Sequence, residues 1–229
     1  MALKIVIIAA GGSGTRFGSD LPKQYLLLNE RPVLMYTIDA FVGIADRIIV
    51  VLSEQMKDVW RAMCTTLSFK VPHELVIGGS SRFQSVRNAL QHIQETTEIP
   101  SDQSIAISIH DAARPFVDRK LIETSFELAL SGSSNVLAFP STNSIRIGDK
   151  LNSKSVDRNI VWQVQTPQTF PACVLIDAFQ QEESPTFTDD ASVVEQRGYV
   201  IQLVESTHRN IKLTFAEDLA LAKLYLGQA

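Results

Sequence analysis

Cysteine is scarce: Cys64 and Cys173 are the only two in 229 residues, and neither a C-x-x-C nor an H-x-x-x-H occurs. That spacing excludes a disulfide framework and a cysteine–histidine zinc site. Cys64 falls on the apolar side of a helical stripe and Cys173 follows a helix-starting proline, so both are expected as buried thiols. Positive charge is also in short supply, with 21 Lys and Arg against 25 Asp and Glu and a net charge of −4. Nucleic acid, which needs a basic face, is therefore not an expected partner. No apolar run is long enough to span a bilayer, and the first residues lead into a short strand without a basic leader or cleavage site. A cytoplasmic protein with no membrane partner is expected. An anionic ligand would have to be captured by a few local cations rather than a general field, which makes each Arg and Lys position informative.

The most informative stretch is the loop of residues 9–18, Ala-Ala-Gly-Gly-Ser-Gly-Thr-Arg-Phe-Gly, closed by Pro22-Lys23. It follows a short β-branched run, residues 4–8, of the kind that forms a buried parallel strand. Four glycines at a strand's carboxyl end let backbone N–H groups approach an anion, and a phosphate is the natural candidate. The loop fits neither standard phosphate motif. Counting from Gly12, the third glycine of a dinucleotide fingerprint would fall on Phe17, and no lysine follows any glycine as a P-loop requires. What the loop does carry is Arg16, with Lys23 seven residues on. Two cations beside a backbone cradle suit a polyphosphate whose charge rises during reaction, although a tight turn with two solvated cations has the same composition.

Further along, helical stripes (Leu34, Ile38, Phe41, Val42; Met56, Val59, Trp60, Met63, Leu67; Phe83, Val86, Leu90, Ile93) alternate with apolar strands at 47–52, 74–77 and 105–109. Such alternation means a parallel sheet with helices on its faces. Gly78-Gly79 repeats the logic of the first loop, and with Ser85 it could meet the edge of a nucleotide base, while capping by Ser80 or Ser81 is an equal reading. Asp111 and Arg114 stand three apart after the fourth strand, as an ion pair or a ligand site, and His110 reads as a packed histidine. A strand at 135–140 precedes a polar stretch, 141–159, with alternating Ser144-Ile145-Arg146-Ile147 and a Gly148-Asp149 turn. This predicts a protruding hairpin too polar to stand alone, which a symmetric partner would cover. The chain returns through 160–165, Thr166-Pro167-Gln168 and Pro171 at a helix start. Asp189 and Asp190 precede a helix, with capping as the first reading and metal binding as the second. A strand at 199–204 and a helix at 215–226 complete the chain.

In order and spacing, the first loop with Pro22-Lys23-Gln24, Gly78-Gly79 with Arg82 and Ser85, residues 110–115, Val156-Asp157-Arg158, Thr166-Pro167-Gln168, residues 188–192 and Asn210-Ile211-Lys212 resemble the methylerythritol phosphate cytidylyltransferases. The ribitol phosphate cytidylyltransferases have similar loops. Nucleotide-sugar glycosyltransferases can share the sheet but commonly use an Asp-x-Asp motif, and no two aspartates here are two residues apart. The resemblance implies one α/β domain over 1–229, a mostly parallel Rossmann-like nucleotidyltransferase sheet with helices on both faces and a β-arm at about 141–159 that clasps a second subunit in a homodimer. It also implies roles. Arg16, Lys23 and Lys212 would be catalytic at the CTP phosphates, with Gly11, Gly12 and Gly14 in the cradle. Ala9, Ala10, Gly79 and Ser85 would surround the cytosine. Asp111, Arg114, Thr166 and Lys212 would hold the polyol phosphate, while Ser144 and Arg158 would reach it from the partner's arm. Mg²⁺ would bridge the triphosphate, with Asp111 as a candidate ligand. Two departures stand out: Ser144 replaces a frequent threonine, and Ser80 replaces an aspartate of some members, so base recognition there must rest on backbone groups.

Overall fold

A computed structural model describes residues 2–12 and 21–227 of the chain. Strand β1 (Leu3–Ala9) leads to a short ribbon, β2 (Leu27–Leu28) and β3 (Arg31–Pro32). Then come α1 (Val33–Ala40), β4 (Arg47–Leu52), α2 (Glu54–Thr66), β5 (Glu74–Ile77), α3 (Arg82–Thr96) and β6 (Ile105–Asp111). The second half runs α4 (Arg119–Leu130), β7 (Asn135–Pro140), β8 (Ile145–Gly148), β9 (Ser153–Val156), β10 (Trp162–Pro171), α5 (Ala172–Ala178), α6 (Asp190–Gln196), β11 (Gln202–Glu205) and α7 (Ala216–Leu226). Seven strands form one sheet in the order β11-β7-β10-β6-β1-β4-β5. Every pairing is parallel except those of β10, which is antiparallel to β6 and β7. The mostly parallel α/β fold read from the sequence is present.

The apolar runs are continuous because both sheet faces are covered. In β1, Ile5 and Ile7 pack with α3, α5 and α6 residues such as Phe83, Leu175 and Val194. Val6 and Ile8 face the other way, toward Leu34, Ile38, Trp60 and Phe126 of α1, α2 and α4. All four strand residues are fully buried, each worth roughly 1.5–3 kcal/mol of transfer free energy. The period of two splits one apolar run between two cores.

Three expectations shift. The final strand is β11 rather than 199–204: Gly198 turns the chain at φ +92° and Val200 is 86% exposed, so the apolar run after it stays off the sheet. Residues expected as a strand followed by a separate Thr-Pro-Gln segment form the single strand β10, whose register shifts between Val164 and Gln168, and Pro171 ends it as the N-cap of α5. The cysteines are half-buried, not fully buried, and desolvation pushes the Cys64 thiol up to about 11.

The hairpin β8–β9 forms its own two-stranded sheet. Its turn is held by the Asp149 carboxylate, which accepts from Leu151 N and Asn152 N at 2.8 and 2.7 Å. The apolar side chains around it face outward, Leu151 at 98% exposure.

Candidate functional site

A cleft of about 670 Å³ opens at the carboxyl ends of β1, β5 and β6, where ligands bind in open α/β sheets. One wall is the backbone after β1. Buried Gln24 pins it, donating from Nε2 to Ala10 O at 2.7 Å and Gly12 O at 3.0 Å. Because Gln24 lies in the 3₁₀ turn Lys23–Tyr25, the same turn brings Lys23 to the cleft wall. A Cβ placed on Gly12 would meet no described atom within 4 Å.

The opposite wall is the turn into α3. Ser81 caps the helix by accepting from Gln84 N at 3.0 Å. Ser85 Oγ donates to Ser81 O at 2.8 Å and accepts from Gly79 N at 3.1 Å. A Cβ on Gly79 would overlap the Gln84 side chain and lie 3.2 Å from its carbonyl carbon, so this tight turn requires glycine.

The floor is an ion cluster centred on Asp111, the last residue of β6. Its Oδ1 faces Arg82 Nη1 at 2.8 Å, and its Oδ2 faces Lys212 Nζ at 2.9 Å and Arg114 Nε at 3.3 Å. Burial alone would raise this carboxyl, but the three cations outweigh it and hold Asp111 well below the usual carboxylate range. Arg82 also reaches Asp190 Oδ2 at 2.5 Å, while burial pushes Asp190 up against that pull. Three cations over two carboxylates leave the floor positive.

Behind the floor, Asp111 N donates to Thr166 Oγ1 at 3.0 Å. His110, fully buried, faces Arg114 O with Nε2 at 3.0 Å and Thr166 Oγ1 with Nδ1 at 3.1 Å. A carbonyl can only accept, so Nε2 carries the hydrogen and Nδ1 accepts from the Thr166 hydroxyl. Burial pushes His110 down to about 4, so it is neutral at pH 7, the packed histidine expected. Arg114 Nη1 donates to Asn210 O at 2.7 Å, and Asn210 Nδ2 donates to Thr166 O at 2.8 Å. These bonds anchor the segment that carries Lys212.

Residues 4–228 match the model of the 2-C-methyl-D-erythritol 4-phosphate cytidylyltransferase family. Relatives bearing that name from Azobacteroides pseudotrichonymphae and Bacteroides fragilis are each 38% identical, over 97% of this chain and 98% and 99% of theirs. The solved Francisella tularensis cytidylyltransferase superimposes with a TM-score of 0.79 at 31% identity, over 97% of this chain and 99% of that one. The chain belongs to this family.

Of the residues that the cytidylyltransferase resemblance singles out, Ala9, Gly11, Gly12, Lys23, Gly79, Ser85, Asp111 and Lys212 line the cleft. Ala10 is buried behind it, and Arg114 and Thr166 sit beneath Asp111 as described. Ser144 and Arg158 are on the arm side and do not line their own chain's cleft; Arg158 Nη1 donates to Thr142 O at 3.1 Å. Arg16 and Gly14 lie outside the described residues. Asp189 caps α6, accepting from Ser192 N at 2.9 Å, whereas Asp190 is an ion-pair partner and not a cap. Sequence reading gave no role to Gln24 or Arg82, and it read Asp190, with Asp189, as a helix cap first and a metal ligand second rather than as the partner of Arg82. For Arg82 a partial signal existed, since an arginine at the first residue of a helix opposes the macrodipole, but nothing local names the carboxylates it meets.

Among the described residues, the donor set does not fit a metal held by protein side chains. Both Asp111 oxygens are engaged by cations, and no group of three or more His, Cys, Asp or Glu gathers among the described residues.

Proposed function

We propose that this cleft transfers CMP from CTP to 2-C-methyl-D-erythritol 4-phosphate and releases pyrophosphate, a step of the non-mevalonate route to isoprenoid precursors. The observation that carries the reading is that Lys23, Lys212 and both glycine turns line one cleft in a chain of this family. The acceptor phosphate, with a second pKa near 6, is already dianionic at neutral pH. It needs no general base, which agrees with a site whose histidine is buried and neutral. The work is positioning and stabilising charge on the α-phosphorus. Lys23 and Lys212 carry it, assisted by Arg16 and the amides of Gly11, Gly12 and Gly14. The cytosine lies against Ala9, Ala10, Gly79 and the backbone held by Ser85. The floor, Asp111 with Arg114 and Thr166 beneath it, receives the acceptor. Mg²⁺ brought in with the nucleotide would supply charge neutralisation on the triphosphate.

The protein acts as a homodimer in which the arm, 141–159, brings Ser144 and Arg158 to the partner's cleft. Supporting this, the hairpin exposes Ile147 and Leu151 and pairs only within itself among the described residues, and so small a ribbon needs something to pack on. Pyrophosphate release from CTP with methylerythritol 4-phosphate, ribitol 5-phosphate or no acceptor tests the assignment. Turnover should be fastest with methylerythritol 4-phosphate; preference for ribitol 5-phosphate, or no turnover, would overturn it.

A further inference from the structure

We infer that Arg82 is a positioning residue that sets the place of the Lys212 ammonium through Asp111. The inference rests on the reading of Lys212 as a contact of the reacting phosphate. One guanidinium ties three elements together: the end of β6 through Asp111 Oδ1 at 2.8 Å, the start of α6 through Asp190 Oδ2 at 2.5 Å, and the start of α3, where Arg82 itself sits. Asp190 is 1% exposed, and Arg82 is its ion-pair partner among the described residues. By occupying Oδ1, Arg82 fixes the rotation of the Asp111 carboxylate. Oδ2 is then the oxygen presented to Lys212 at 2.9 Å. Without Arg82 the carboxylate loses its shortest arginine contact and keeps only the longer one from Arg114 Nε at 3.3 Å, so it turns more readily and Lys212 shifts with it.

Helix stability does not explain the placement, since a cation in the first turn is unfavourable there. Nor does α6 depend on Arg82 alone. Its start is also held by the Asp189 capping box and by Gln168, which donates to Asp189 Oδ2 and accepts from Ala191 N, both at 2.8 Å. A variant that removes Arg82 and its buried counter-charge together should therefore fold.

The test is a cycle of Arg82→Met/Asp190→Asn against Lys212→Ala, with kcat and both KM values measured. Displacing one reacting group by about 1 Å costs on the order of 10²-fold, so the Arg82 pair should lower kcat by about that factor while the KM for CTP moves little. In the Lys212→Ala background the same change should cost almost nothing, because the group it positions is gone. Equal losses in both backgrounds, or unchanged kcat in a folded variant, would overturn the inference. Arg82→Lys, which keeps the charge but not the fork, should show the same dependence on Lys212, and serves if the first variant fails to fold. A crystal structure of the variant decides independently of turnover: Lys212 Nζ should be displaced from its place in the cleft, whichever Asp111 oxygen it then meets, and an unmoved Nζ refutes the role. Absence of turnover in the unmodified protein would instead remove the cytidylyltransferase reading and leave the crystal result to judge Arg82.

Discussion

The cleft floor and the arm are built by opposite rules. At the floor, charges find partners within the chain: Asp111 meets three cations, Arg82 meets two carboxylates, and His110 has a partner on each ring nitrogen. On the arm, the ribbon is held by its turn and by Arg146, whose Nε donates to Ser153 Oγ at 2.7 Å, while Leu151 faces outward at its tip. A region whose charges are paired inside the chain is finished by folding. One that leaves apolar side chains outside has surface left for a partner, as in the proposed homodimer. Substitutions in the cleft should thus act on the chemistry or stability of each chain, and substitutions on the arm should act between chains.

The largest effect should come from Lys23→Ala. An interaction that strengthens as charge develops acts on kcat, and losing one such donor costs roughly 10²–10³-fold. Steady-state kinetics that show only a raised KM for CTP would remove Lys23 from the chemical step.

Next is the pH dependence of folding. In the unfolded chain His110 takes up a proton below about 6.5, and in the folded chain only near 4. Between those values the unfolded state holds more protons, so stability rises with pH, by up to roughly 3 kcal/mol across the window. Denaturation at pH 4–7 should show this slope, and His110→Gln should flatten it. An unchanged slope in that variant would place the proton elsewhere.

Base selectivity should be smaller. UTP replaces the exocyclic amine of cytosine with an acceptor, and an unpaired buried acceptor costs roughly 1–3 kcal/mol, or about 5–150-fold in kcat/KM. Since Ser80 offers no carboxylate, the preference for CTP should survive Ser80→Ala. Comparable kcat/KM for the two nucleotides would contradict the cytosine assignment, and loss of selectivity in Ser80→Ala would move recognition from backbone to side chain.

On the arm, Arg158→Ala should raise the KM for the acceptor about tenfold, the lower end for a charged hydrogen bond, and leave CTP binding intact. Leu151→Asp should change the stability of the isolated chain by no more than about 0.5 kcal/mol, as exposed positions do, while weakening dimers in sedimentation. A large loss of chain stability would mean that the tip packs on its own subunit.

The same contrast explains what the sequence disclosed. Strands such as β1 and β4 are legible because burial on both faces leaves unbroken β-branched runs, and both glycine turns mark strand ends. The Asp111–Arg114 pair is legible because its members are three residues apart. The Arg82–Asp190 bond joins residues 108 apart, and no local pattern reports it. Gln24 is equally silent, since its work is to hold the backbone of Ala10 and Gly12, twelve or more residues before it. The last strand misled for a different reason: Tyr199, Val200 and Ile201 have strand-forming side chains, but the turn at Gly198 carries them past the sheet edge.

The most direct test of a cleft completed from another chain is to mix Lys23→Ala with Arg158→Ala protein and assay CTP turnover. A mixed dimer has one site with both residues altered and one with neither, so with the acceptor held well below its KM, where Arg158→Ala protein alone is about tenfold slower, equal random mixing should restore about a quarter of the unmodified activity. Activity that stays at the level of the separate variants, after subunit exchange has been demonstrated by mass spectrometry, would contradict the shared site.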